Sequence, residues 1–205
     1  MLATTWGFAV TPQAQTDNAL VSRCQKADLA AFNEIVARYK DKIYRYVYRM
    51  TASADDAEDV TQEVFVRMYT GIGNFRRDAS LATWLFRIAG NLCTDSFRKN
   101  KNARTTVSLD ASIDDDAETA TGREIADMSS APDLIWGRKE LSAQIETALA
   151  KLPPKLRSAV ILHDVEGMAY DEIAQTEAVP LGTVKSRIYN ARAALRESLK
   201  EYLQG

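Results

Sequence analysis

Residues 170–200 read YDEIAQTEAVPLGTVKSRIYNARAALRESLK, and this stretch decides the fold of the C-terminal part of the chain. Its first half has an apolar side at Tyr170, Ile173 and Ala174, and Val179-Pro180 ends that helix and sets the angle of the next. Because an apolar stripe on a helix must face a core, the second half is also expected to pack inward along one side. At 100° per residue this stripe consists of Val184, Ile188, Ala191 and Leu195. The stretch predicts a helix-turn-helix.

The side of the second helix opposite this stripe carries small and polar groups. Between residues 178 and 200 there are five basic residues and one acid. A basic helix with short hydrogen-bonding side chains can enter the major groove of DNA. Solvated helix faces are also rich in Lys and Arg, so the basic helix alone leaves both interpretations open, and the turn before it favours DNA binding.

Charge divides the chain of 205 residues into three parts. Residues 17–104 carry 15 basic and 11 acidic residues, and residues 138–205 carry 10 and 9. Between them, residues 105–137 carry eight acids and one base among many Ser, Thr and Ala residues, a composition typical of a flexible segment. The net charge of −2 therefore hides two weakly basic domains and an acidic linker, which we place at residues 105–131.

Residues 17–100 contain apolar residues at helical spacing and no alternating strand pattern, with breaks at Ala52-Ser53 and at residues 71–74. This predicts an all-α protein of two small helical domains joined by the acidic linker. We expect the core of the first domain to include Leu20, Leu29, Phe32, Ile35, Val36, Ile43, Tyr46 and Val47. Residues 1–16 have no charge and no long apolar run, which predicts a loose tail rather than a signal peptide or membrane span.

A helix predicted over residues 54–69 has two faces. Ala57, Val64 and Met68 form a buried face, and Ser53 is placed to cap the first turn. The outward face is acidic with an apolar centre at Val66. Acids in a first turn also favour the helix dipole, so the pattern alone does not separate partner docking from local stabilisation.

A polar loop over residues 74–80 leads into a helix predicted over residues 81–99 with a core stripe of Leu81, Leu85, Ile88 and Leu92. A second stripe is basic and amide-bearing, and Trp84 lies at its boundary with the core. Basic groups beside aromatic rings suit single-stranded DNA, which offers phosphates and unstacked bases, but Trp84 is equally compatible with the core.

The remaining reactive side chains do not indicate a catalytic or metal site. Cys24 and Cys93 lack metal-ligand spacing and are expected to be small buried residues, and His163 is the only histidine and is expected to be structural. No phosphate-binding glycine loop is present. We therefore expect a cytoplasmic protein with no cofactor, no metal and no enzymatic activity.

Three motifs resemble one family. VPLGTVKSRIYNARAAL is similar to the promoter-binding C-terminal domain of sigma-70 family factors of the extracytoplasmic-function (ECF) class. DAEDVTQEVFVRMY resembles the sigma-factor helix that docks on the clamp helices of core RNA polymerase, and NFRRDASLATWLFRIAGNLCTDSFRK resembles the element that recognises the minus-ten promoter sequence and holds a flipped base. The resemblance implies a region 2-like domain at residues 17–104 and a region 4-like domain at residues 132–205.

The resemblance also implies roles for individual residues. Polymerase docking is expected at Asp56, Asp59, Gln62, Glu63 and Val66. Contacts with minus-ten DNA are expected from Phe75, Arg76, Arg77, Asp78, Ser80, Trp84, Arg87, Asn91 and Arg98. Minus-thirty-five DNA is expected at Thr183, Lys185, Ser186, Arg187, Tyr189, Asn190, Arg192 and Arg196.

The resemblance further implies three partners: core RNA polymerase, through its β′ clamp helices and β flap, promoter DNA, and an anti-sigma factor. It implies no membrane contact. In that family the linker threads through the polymerase, where its acids would mimic RNA. The sequence departs from the family pattern at two positions. Ala169 stands where a Ser or Thr usually caps the first helix of the helix-turn-helix, and Ala178 stands where its turn usually has Gly. A stand-alone transcriptional regulator and, less well supported, a metal-dependent nuclease are the alternatives.

Overall fold

The computed structural model describes the backbone of residues 12–107 and 132–200, and the side chains of residues 16–98 and 140–200. Within these ranges the protein is all-α, as predicted. The first group of helices is α1 (Pro12–Cys24), α2 (Leu29–Thr51), α3 (Ala54–Gly71), a 3-10 turn (Ile72–Asn74) and α4 (Leu81–Val107). The second group is α5 (Pro132–Lys151), α6 (Pro154–Val160), a π-helical turn (Ile161–Val165), α7 (Tyr170–Glu177) and α8 (Leu181–Ser198).

The first domain is built around α2, which packs against α1, α3 and α4. Most of the predicted core residues are buried, and Phe32 and Val36 pack against the core while partly exposed. Leu29 was predicted to be in the core, but it is 61% exposed. It is the first residue of α2, and helical side chains lean toward the N-terminus, so Leu29 projects beyond the core.

The predicted loose tail is too long by five residues, because α1 already begins at Pro12. This helix is fixed to α2 by Asp17, which is 5% exposed. Arg38 Nη1 donates to Asp17 Oδ1 at 2.6 Å and to Thr16 Oγ1 at 3.2 Å, and the Tyr39 hydroxyl donates to Asp17 Oδ2 at 2.5 Å. These contacts could not be predicted from the sequence, because they join residues more than twenty positions apart. Residues 1–11 lie outside the described residues.

The helix predicted to end at residue 99 continues as α4 to Val107. Residues 100–107 contain neither Gly nor Pro, so nothing in the sequence ends the helix. The first three residues assigned to the acidic linker are therefore helical, and residues 108–131 of that linker lie outside the described part of the chain.

The second domain packs α8 against α5, α6 and α7. The predicted stripe on α8 is confirmed: Val184, Ile188 and Ala191 are buried, and Leu195 packs against the core. Helix α6 begins at Pro154 and runs into the π-helical turn at Ile161. His163 has a structural contact there, with Nδ1 2.9 Å from the Met168 carbonyl oxygen.

The turn between α7 and α8 uses a left-handed alanine. Ala178 has φ 52° and ψ 48° at the C-cap of α7, the conformation in which the resembling family has glycine. At the other end of α7, the N-cap Ala169 offers no side-chain acceptor. Only the reciprocal bond is present, in which the Ala169 amide donates to Glu172 Oε2 at 3.0 Å. Both ends of α7 are therefore less stable than they would be with a Ser or Thr N-cap and a Gly at position 178.

Both cysteines are buried and free, as expected. Burial raises the pKa of the Cys93 thiol to about 12, so this thiol is neutral near pH 7. No helix in the described ranges is long and apolar enough to cross a membrane.

Replacing Ala178 with glycine should stabilise the protein. Glycine adopts the left-handed conformation without the Cβ clash, so Ala178→Gly is expected to raise the free energy of unfolding by about 1 kcal/mol. The matched control is Ala143→Gly, at an exposed position within α5, which should lower it by a similar amount. Urea unfolding of both variants measures the two changes, and a loss of stability in Ala178→Gly contradicts the prediction.

Candidate nucleic-acid interface

The outward side of α8 forms an open basic surface. With Val184 and Ile188 facing the core, six of the predicted positions are exposed, namely Lys185, Ser186, Tyr189, Asn190, Arg192 and Arg196. Tyr189 is 75% exposed, which is unusual for an aromatic ring without a partner. A shallow cleft of about 430 Å³ is lined by Tyr170, Lys185, Ile188, Tyr189, Arg192, Ala193 and Arg196. The arrangement presents cations and hydrogen-bonding groups on a convex helix, as major-groove reading requires.

Two of the predicted arginines on α8 are engaged within the domain. Arg187 Nη1 lies 2.5 Å from Glu177 Oε2, and the two side chains are only 16% and 11% exposed. Arg192 Nε donates to Asp164 Oδ2 at 3.0 Å, and this hydrogen bond raises the pKa of Arg192. The Arg187–Glu177 pair joins α8 to α7 and fixes the angle between the two helices. Arg192 is exposed and can exchange its carboxylate for a phosphate at little cost.

A second cleft lies at the start of α4. It has a volume of about 300 Å³ and is lined by Gly71, Asn74, Phe75, Arg76, Asp78, Ala79, Trp84 and Arg87. The rings of Phe75 and Trp84 stack with centroids 4.8 Å apart. Gly71 gives the indole its room, because a Cβ there would lie 3.2 Å from Trp84 Cζ2. An open cleft with an aromatic wall and two arginines can hold an unstacked base and its phosphate.

The other predicted minus-ten residues lie around this cleft rather than in its lining. Arg77, with φ 61°, turns toward α1 and donates to Ser22 Oγ at 2.7 Å. Ser80 Oγ accepts from the Thr83 amide at 3.1 Å and caps α4. Asn91 and Arg98 are exposed farther along α4. The structure therefore brings together Phe75, Arg76, Asp78, Trp84 and Arg87, and gives Arg77 and Ser80 supporting contacts.

Sequence reasoning missed the residue that holds the cleft loop. Gln25 Nε2, on the turn after α1, donates to the carbonyls of Ile72 and Phe75 at 3.1 and 3.0 Å. These bonds fix the backbone that carries Phe75. Gln25 precedes the loop by about fifty positions and has no motif of its own, so no local signal could have found it.

The predicted docking face of α3 points to solvent. Asp59, Gln62 and Val66 are exposed, and Val66 is 56% exposed although apolar. Asp56 and Glu63 are half-buried, and Glu63 Oε1 accepts from Arg67 Nε at 2.8 Å. The opposite face of α3 is in the core through Ala57, Thr61, Val64, Phe65 and Met68. The outward face is acidic with an apolar centre, as the sequence predicts.

Family models match both domains: Sigma-70 region 2 matches residues 35–103, and Sigma-70, region 4 matches residues 142–195. The chain is 35% identical to the RNA polymerase sigma-H factor of Pseudomonas aeruginosa over 93% of its length and 97% of that protein's. It is 37% identical to the ECF RNA polymerase sigma factor SigW of Bacillus subtilis over 88% of its length and 95% of that protein's. The chain belongs to the ECF sigma factors of the sigma-70 family.

The fold is also that of solved sigma-factor structures. One is CnrH in complex with the cytosolic domain of CnrY, at a TM-score of 0.66 and 24% identity over 90% of this chain and 97% of that one. Another is the sigma factor RpoE in complex with the anti-sigma factor NepR from Bartonella quintana, at a TM-score of 0.66 and 23% identity over 82% of this chain and 96% of that one. Sigma factors are transcription initiation factors.

Arg187 should contribute more to the stability of the helix-turn-helix than to DNA affinity. Arg187→Met leaves the Glu177 carboxylate buried without its partner, and we expect the free energy of unfolding to fall by about 2–3 kcal/mol. The double variant Arg187→Met/Glu177→Met should recover part of this loss, because it removes both charges. Urea unfolding measures both. A variant with unchanged stability and weaker duplex binding would instead identify Arg187 as a phosphate contact.

Proposed function

We propose that this ECF sigma factor directs core RNA polymerase to two-part promoters, with α8 reading the minus-thirty-five element and the α4 cleft holding an unpaired base of the minus-ten element. The observation that carries the proposal is the presence of an exposed basic recognition helix and an aromatic-lined cleft on one chain. Duplex and single-stranded DNA need different surfaces, and promoter opening requires contacts with both.

At the minus-thirty-five element, Lys185, Ser186, Tyr189 and Asn190 read base edges. All four are exposed on the side of α8 opposite the core stripe. DNA phosphates are contacted by Thr183, Arg187, Arg192 and Arg196. Because Arg187 is largely buried against Glu177, it also holds α8 in place. Phosphate contacts fix register, and base contacts supply sequence preference.

At the minus-ten element, a flipped base is held near Phe75, Arg76 and Asp78 beside the ring of Trp84. Arg87 and Arg98 contact backbone phosphates, and Asn91 lies between them on α4. Flipping a base costs a few kcal/mol, which the cleft returns through stacking and hydrogen bonds because its walls are already formed. Binding energy, rather than nucleotide hydrolysis, drives opening.

The acidic face of α3 docks on the clamp helices of the β′ subunit, and the region 4 domain contacts the flap of the β subunit. Carboxylates around an exposed apolar centre are typical of a polar rim and a buried contact. An anti-sigma factor holds the chain inactive, a proposal supported by CnrH and RpoE, whose structures were solved in complex with CnrY and the anti-sigma factor NepR.

A stand-alone regulator would share the helix-turn-helix and needs no polymerase-docking face. The solvent-exposed Asp59, Gln62 and Val66 favour the sigma factor. A nuclease would need a metal centre. Among the described residues, no group of three His, Cys, Asp or Glu side chains is arranged to hold a metal ion.

Charge reversal on the docking face should weaken polymerase binding. Asp59→Arg places a cation on the acidic face, and we expect at least a tenfold loss of affinity, about 1.4 kcal/mol, for core polymerase. The matched control is Glu58→Arg, which makes the same charge change on another side of the helix and should stay within about twofold. Labelled-sigma anisotropy against core polymerase measures both. Equal affinities for the two variants would contradict the docking face.

Loss of a base-reading side chain should weaken promoter choice. Lys185→Ala is expected to reduce discrimination between a promoter selected from random DNA by the holoenzyme and its minus-thirty-five mutant by about 1–3 kcal/mol. Lys155→Ala, at an exposed lysine of α6, removes the same charge outside α8 and serves as control. Competitive transcription from the two templates gives the ratio. Full discrimination by Lys185→Ala would remove this residue from the base-reading set.

A further inference from the structure

The α4 cleft takes part of its lining from the loop over residues 75–80, the cleft loop. This loop forms neither helix nor strand between the 3-10 turn and α4. Arg76 and Asp78 line the cleft, whereas Arg77 between them does not. A segment without regular backbone hydrogen bonds keeps one conformation only where contacts from elsewhere hold it. The shape of the cleft therefore depends on what holds this loop.

Gln25 holds the cleft loop with every polar atom of its side chain. Nε2 donates to the carbonyls of Ile72 and Phe75 at 3.1 and 3.0 Å, and Oε1 accepts from Arg77 Nη2 at 3.4 Å. A side-chain amide has two hydrogen atoms to donate and an oxygen that accepts, so a glutamine satisfies all three partners at once. Methionine has a similar length but cannot donate to the two carbonyls. The substitution Gln25→Met therefore removes the contacts while keeping the size of the side chain.

Arg77 makes the second contact between the cleft loop and α1. Its φ of 61° lies in the left-handed region, which costs free energy for a residue other than glycine and persists where surrounding contacts hold it. Arg77 Nη2 donates to Ser22 Oγ of α1 at 2.7 Å, so the side chain points away from the cleft. The chain turns at Arg77, and its two neighbours line the cleft while its own guanidinium is bound to α1.

The turn that carries Gln25 is itself fixed at both of its helices. Ala27, with φ 63°, provides the left-handed residue that follows α1. The Asp28 amide donates to the Arg23 carbonyl at 3.2 Å, and Arg23 Nε donates to Asp28 Oδ2 at 2.8 Å. Asp28 Oδ1 accepts from the Ala30 amide at 2.9 Å and caps α2. Gln25 is therefore a fixed point of attachment for the cleft loop.

We propose that Ser22, Gln25 and Arg77 form a strap that positions the cleft loop and thereby sets how strongly the cleft discriminates between minus-ten bases. None of the three lines the cleft, so they are positioning residues that act through Arg76 and Asp78. The proposal rests on the proposed role of the α4 cleft, and it makes α1 part of the minus-ten surface. The strap residues lie outside the buried core, so the domain stays folded when the strap is lost.

Competitive transcription by core polymerase with full-length Gln25→Met tests the strap. The templates are a promoter selected from random DNA by the wild-type holoenzyme and its single-base minus-ten mutants. We expect discrimination between them to fall by about fivefold, which is the lower end of the value of one base contact. Discrimination against minus-thirty-five mutants and affinity for core polymerase should stay within about twofold of wild type, because the strap touches neither α8 nor the outward face of α3.

Two further variants accompany Gln25→Met. Ser22→Ala removes the partner of Arg77 at a helical position where alanine is well tolerated, and it should weaken discrimination at the same minus-ten positions to a smaller extent. Gln144→Met makes the matched change at an exposed position of α5 and should leave every readout at the wild-type value.

The fluorescence of Trp84 reports on the strap without DNA. In a chain with Trp6→Phe and Trp136→Phe, Trp84 is the one remaining tryptophan, and its ring stacks on Phe75. Acrylamide quenching of Trp84 should rise by about half when Gln25→Met is added, because a loop that opens locally exposes the indole. The far-UV circular dichroism should not change, since the helices remain folded.

Three results would overturn the strap: minus-ten discrimination by Gln25→Met within about twofold of wild type, an equal loss at both promoter elements, or unchanged quenching of Trp84. Asp78→Ala tests the proposed function separately, because Asp78 lines the cleft itself. If Asp78→Ala weakens minus-ten discrimination and Gln25→Met does not, only the strap is wrong. If Asp78→Ala has no effect either, the role assigned to the cleft is wrong and the strap falls with it.

Discussion

Burial of a single apolar stripe on each of three helices is the constraint on which the rest of this molecule depends. In α8, Val184, Ile188 and Ala191 are buried, and every functional assignment on that helix follows from the side left outside. The same holds for Val64 and Met68 in α3 and for Leu81 and Leu85 in α4. Because a helix has one orientation once its stripe is fixed, packing alone determines which side chains face DNA or a partner.

The two domains use this constraint to present surfaces of different shape. Helix α8 offers a convex, basic surface that suits a groove, and the start of α4 offers a cleft with an aromatic wall. Gly71 and Gln25 support that cleft from outside the motif, one by leaving room for Trp84 and the other by holding the loop carbonyls. Helix α7 packs against α4, and α2 contacts α5 and α6, so the two domains lie against each other in one chain.

Much of this was accessible from the sequence because helical period is a local signal. The all-α fold, the two domains and the stripe of α8 all follow from residues within one or two turns of each other. What failed depended on distant partners. The sequence predicts a loose tail at residues 12–16 because the Asp17–Arg38–Tyr39 contact that holds α1 in place lies between two helices. The Arg187–Glu177 ion pair has no local sequence signal either, because Glu177 lies ten positions earlier, on the other side of the turn. Leu29 has the spacing of a core residue but sits beyond the core at the start of α2. The contact between α4 and α7 joins residues nearly ninety positions apart. No pattern within either helix predicts it.

Sequencing the transcripts that core polymerase makes from fragmented genomic DNA, with and without this chain, tests the central claim most directly. A promoter-specificity factor with two DNA-binding surfaces should produce new transcript 5′ ends. The DNA upstream of these ends should share one sequence at about ten base pairs and a second one about two helical turns farther upstream, because the two surfaces contact one face of the duplex. Transcripts with the same 5′ ends in both reactions would contradict the account.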